Sequence, residues 1–99
     1  MIVLKGRKFR TRQALKVTCM TAWAAPYTGG SEVLLPRGEV FIVTDDPLPT
    51  STAIYADPLN YEDLETMLVR PEDRAHPKYR GFYLCINLKD IEEHCELLA

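Results

Sequence analysis

From Gly81 to Leu88 the side chains alternate without a break. Phe82, Leu84, Ile86 and Leu88 fall on one side and Tyr83, Cys85 and Asn87 on the other. A period of two belongs to a pleated strand with one face buried. No helix gives these apolar residues a common face. Leu15 to Trp23 repeats the pattern, with Leu15, Val17, Cys19, Thr21 and Trp23 opposite Lys16, Thr18, Met20 and Ala22. Two alternating runs this far apart in sequence require a sheet closed by long-range pairing.

Punctuation divides the rest. Pro36, Pro47, Pro49, Pro58, Pro71 and Pro77 stand between apolar runs, where proline marks boundaries. Glu32–Leu35 and Glu39–Thr44 read as strands joined by a tight turn at Pro36-Arg37-Gly38, and Thr52–Ala56 as another. Ala24–Ser31, with Pro26, Gly29 and Gly30, reads as a loop, as does Asp45–Ser51. Asp57-Pro58-Leu59-Asn60 opens a helix that runs to Leu68, with Glu62, Asp63 and Glu65 near its positive end. Tyr61, Leu64, Met67 and Leu68 form its expected buried stripe, and Pro71 ends it. Glu72–Arg80 reads as a polar loop. Lys89–His94 predicts one helical turn with Ile91 inward, and Cys95–Leu98 a closing strand. Arg7–Lys16 fits neither period, and Met1–Leu4 reads as a short strand.

The expected fold class is therefore mainly β (α+β). About five short antiparallel strands carry one helix near 59–68 and a helical turn near 89–94. A strand, one helical turn and a short closing strand over residues 81–98 resemble the end of Src-homology-3-like small barrels. That resemblance implies a partly open barrel and no particular function.

The 99 residues fit one small domain, and 46% apolar content suffices for a core without staples. The apolar run at Met1–Leu4 is too short for a secretory signal, and no run approaches a membrane span. Cys19, Cys85 and Cys95 are odd in number and lack a Cys-x-x-Cys pair, so a reducing, cytoplasmic setting is expected. Cys19 and Cys85 read as small buried apolar residues.

Charge is divided unevenly. Residues 1–16 hold Lys5, Arg7, Lys8, Arg10, Arg12 and Lys16 and no acid, a local charge of +6, whereas the other 83 residues carry −8. Residues 1–14 therefore read as a basic, partly ordered arm. Lys5, Arg7, Lys8, Arg10 and Arg12 are candidates for an anionic partner such as nucleic acid or the ribosome.

No residue pattern carries a complete catalytic or metal site. His76, His94 and the cysteines lack zinc spacing, and Thr28-Gly29-Gly30-Ser31 lacks the ending of a phosphate loop. A Cys–His pair involving Cys85 with His76 or His94 requires assembly in space. Ser31–Val43 resembles the strand–turn–strand after the catalytic glutamate of arginine-specific ADP-ribosyltransferases, with Glu32 at the glutamate position. It departs where that family has another acid, here Gly30, and its upstream arginine and Ser-Thr-Ser elements have no counterpart.

Aromatic side chains give a stronger signal. Trp23 and Tyr27 flank a loop, and Tyr55 and Tyr83 lie on strands away from the phenylalanines expected inside. The reading is a non-enzymatic protein-interaction module with Trp23, Tyr27, Tyr55 and Tyr83 as its contact residues. The loops at 24–31 and 45–51 are expected to wall the groove beside them. A protein partner is expected before a nucleic acid, with no cofactor, metal or membrane.

Overall fold

The computed structural model describes residues 3–22 and 28–98. Seven strands form a single sheet: β1 Lys8–Thr11, β2 Leu15–Ala22, β3 Thr28–Leu35, β4 Val40–Val43, β5 Ala53–Pro58, β6 Phe82–Asn87 and β7 Cys95–Leu98. Their order is β3-β2-β6-β5-β4-β1-β7, and every pairing is antiparallel. Three short helices complete the α+β domain: α1 Tyr61–Leu68, α2 Pro71–Arg74 and α3 Leu88–His94. Among the described residues no helix is long and apolar enough to cross a membrane.

Connectivity forces the sheet to curl. β1 and β2 lie four places apart in the strand order, yet only Arg12–Ala14 joins them. In a flat sheet four places span roughly 19 Å at the usual strand spacing. From Thr11 to Leu15 the extended chain reaches at most about 14 Å. β3 and β4 are also four places apart, joined by Pro36–Glu39. The sheet therefore rolls into a barrel-like shape but does not close, because β3 and β7 remain its two edges.

Thr11 fastens the roll where these connections meet. It is 2% exposed, and its side chain and backbone both bond the 36–39 segment. Thr11 Oγ1 donates to the Pro36 carbonyl (2.7 Å) and accepts from Glu39 N–H (3.1 Å). Thr11 N–H donates to the Glu39 carbonyl, and Gly38 N–H donates to the Thr11 carbonyl. Gly38 takes φ +86°, a conformation glycine adopts without steric cost. The expected turn is thus present, but β4 does not return along β3. It pairs with β1 and β5 instead.

Alternation fills the interior. Val17 and Cys19 from β2, Leu84 and Ile86 from β6, Ile54 and Ala56 from β5, Phe41 and Val43 from β4, and Phe9 from β1 share one buried cluster. Phe9 and Phe41 sit directly opposite and stack at 5.8 Å. Leu64, Leu68 and Val69 close the cluster from α1, and Ile91 from α3. The tail follows its sequence reading. Asn87 caps α3 by accepting from Lys89 N–H (2.9 Å), Ile91 is fully buried, and β7 begins at Cys95.

Several sequence expectations need correction. β3 begins at Thr28, so Gly29 and Gly30 are paired strand residues opposite Thr21 and Met20. A side chain at Gly30 would press on Met20 Sδ at 3.0 Å and Thr18 Cγ2 at 3.1 Å, so neighbours already occupy that space. Pro58 ends β5 opposite Phe41 and does not start the helix. Asn60 makes no side-chain cap; its amide donates to Glu39 Oε1 at 3.5 Å. Met67 is 60% exposed, because eight residues of helix bury only a narrow stripe. Pro71 opens α2 within the segment read as a loop, which suits a proline at the first helical position. Within the basic segment read as an arm, Lys8–Thr11 are β1, hydrogen-bonded on both sides by β4 and β7. Val3 is buried in the core and no strand forms at Val3–Leu4.

Candidate binding faces

The outer side of the sheet is built by the alternate residues of the strands that fill the core. At its centre, register sets Tyr55 of β5 opposite Cys85 of β6, with Tyr83 two residues before Cys85 on the same face. On the far side of β6, Met20 and Thr18 of β2 lie opposite Tyr83 and Cys85. Side chains directly opposite in an antiparallel pair are in contact range. Tyr55 and Tyr83 meet edge to face, with ring centroids 5.3 Å apart and planes at 86°. This arrangement suits the quadrupoles of aromatic rings. Tyr55 remains 44% exposed. Burial, then the neighbouring Tyr55, raises the Tyr83 phenol above its ordinary value. The Tyr83 hydroxyl is therefore a neutral donor at physiological pH.

Two of the four aromatic candidates are thus brought together. Trp23 and Tyr27 lie outside the described residues. Met20 and Cys85 belong to the same face and were not among the contact residues named from sequence. Their outward direction follows from the alternation of β2 and β6, but their adjacency to the tyrosines depends on register. Cys85 is half-buried on this outer face and not in the core where the sequence reading put it. In the loop at 45–51, expected as a wall, Asp46 Oδ1 accepts from Lys5 N–H at 2.8 Å.

The five basic candidates separate. Leu4–Arg7 form a turn closed by Arg7 N–H donating to the Leu4 carbonyl, with Gly6 at φ +87°. This turn and the end of β7 form a shallow groove of about 650 Å³, lined by Lys5, Gly6, Arg7, Lys8, Leu97 and Leu98. Arg10 is engaged with Glu96 of β7, Nη1 to Oε1 at 3.0 Å. Arg12 lies beyond the far end of β1, where its N–H donates to the His94 carbonyl.

The groups weighed for catalysis lie on different elements. Burial pushes the Cys19 and Cys95 thiols up to about 11 and also raises Cys85. Raised thiols stay protonated near neutral pH and are poor nucleophiles. Cys85 lies mid-strand on β6, His94 ends α3, and His76 lies in the exposed loop after α2. Glu32 is exposed on edge strand β3, with its carboxylate 3.8 Å from Lys16 Nζ. Among the described residues, no group of three or more His, Cys, Asp or Glu side chains is placed to hold a metal.

Comparison of the chain with protein-family models, with curated proteins and with solved structures gives no match.

Proposed function

We propose that the protein is an interaction module that holds an extended polypeptide against the outer face of its sheet at Tyr55 and Tyr83. One observation carries this reading: two tyrosine rings set at right angles on the outer side of the sheet, with Tyr55 44% exposed. The angle between them suits a ring or a proline of a partner. The platform is firm, since β5 and β6 are interior strands paired on both sides. Tyrosine also supplies large contact area at a low cost in conformational entropy.

The test is a selection of peptides from a random display library on the wild-type chain, followed by titration against Y55A/Y83A. Peptides that bind the wild type and lose at least about tenfold in affinity on the double variant support the reading; a pair of aromatic anchors is worth that much. Peptides that bind the folded double variant as well as the wild type overturn it.

A further inference from the structure

We propose a second binding site, at the β1–β7 end of the strand order, that takes an acidic peptide segment carrying aliphatic side chains. Its place is the groove between the Leu4–Arg7 turn and the end of β7.

Its charge has one sign. Lys5, Arg7 and Lys8 line it, and none of the three makes an ion pair among the described residues, whereas Arg10, Lys16 and Arg70 all do. The local turn holds them in place. Gly6 at φ +87° and the Gly6 N–H bond to the Val43 carbonyl (2.7 Å) fix the backbone between Lys5 and Arg7. Pairing of Lys8 with Ile42 and Leu98 fixes the third. Asp46 Oδ1 is engaged by the Lys5 N–H.

Its lining also selects the occupant. Leu97, 40% exposed, and Leu98 supply aliphatic surface, and no aromatic ring of the described residues lines the groove. Single-stranded nucleic acid draws affinity from bases stacked on aromatic rings, and long polyanions are repelled by a chain of net charge −2. An acidic peptide brings a few carboxylates and apolar side chains together. A carboxylate can take two parallel N–H bonds from the Arg7 guanidinium, while Lys5 and Lys8 act as point charges.

The experiment uses the purified full chain and fluorescence anisotropy at low salt. Three labelled probes are compared: a short peptide alternating glutamate and leucine, its glutamine counterpart, and a uridine oligonucleotide of equal charge. The glutamate–leucine peptide binds best, and K5Q/R7Q/K8Q weakens it about tenfold, as three rim charges of ordinary strength imply. L97Q, at an exposed position, weakens it by about threefold through lost apolar contact. Amide shifts of Gly6, Lys8 and Leu98 in NMR spectra accompany binding, and Y55A/Y83A leaves it intact. The site is overturned if the oligonucleotide binds as tightly as the acidic peptide. Retained binding by a folded K5Q/R7Q/K8Q overturns it too, as does its loss in Y55A/Y83A.

Discussion

The two sides of strands β5 and β6 serve opposite ends. Inward, Ile54, Ala56, Leu84 and Ile86 are 5% exposed or less and belong to the one buried cluster. Outward, Tyr55, Tyr83 and Cys85 sit one residue away along the same backbone and keep contact with solvent. Burial of the inner set drives folding, as removal of apolar surface from water does in general. The outer set is less buried, and on the proposed reading its tyrosine pair serves recognition.

This contrast sets an order of expected effects. Leu84→Ala, on the inner side, should destabilise the protein by about 2–5 kcal/mol through a cavity in the packed interior. Urea unfolding measures it, and a value near zero would break the distinction between the two sides. Thr11→Val tests whether the roll of the sheet depends on its polar fastening. The Pro36 carbonyl and the Glu39 N–H both lose the Thr11 hydroxyl. A loss of about 1–3 kcal/mol is expected for buried groups left unsatisfied.

The pH dependence of stability sharpens the comparison on the inner side. Cys19 and Cys95 have folded-state values of about 11 against an ordinary 9.0, because burial disfavours the thiolate. A raised folded value means the unfolded chain gives up the proton first. The thiols' contribution is therefore complete below pH 9 and is lost as pH rises from about 9 toward 11. Urea midpoints at pH 7.5 and about 10 should diverge less in Cys19→Ala/Cys95→Ala than in the wild type. Equal divergence would show that the thiols do not titrate differently on folding.

The smallest effect belongs to the outer side. A double-mutant cycle of Tyr55→Ala and Tyr83→Ala should give a coupling of about 0.5–1.5 kcal/mol, the worth of an edge-to-face pair. A coupling as large as the Leu84→Ala loss would mean that the tyrosines hold the fold and are not reserved for a partner.

Much of the inner side was legible because period-two alternation survives in β2 and β6, and the α3–β7 tail carries its own cap and one inward apolar residue. β1 was hidden. Its outward residues Lys8 and Arg10 are charged, and Thr11 is inside only because a segment 25 or more residues away bonds it. Gly29 and Gly30 looked like loop residues because pairing with β2, not intrinsic preference, makes them strand. The approach of Tyr55 to Tyr83 was unreadable for the same reason: it depends on the register of β5 against β6. The groove joins residues 5–8 to 97–98, and only the pairing of β1 with β7 brings them together.

That last pairing bears on how the molecule folds. Phe9 lies opposite Leu97 and Thr11 opposite Cys95. β1 keeps one edge bare until a strand more than eighty residues later in the chain pairs with it. Contacts between segments so distant in sequence carry a large loop-closure entropy and slow the final step of folding. Until β7 docks, β1 has only β4 as a paired neighbour, and an unpaired strand edge of this kind invites pairing with other chains.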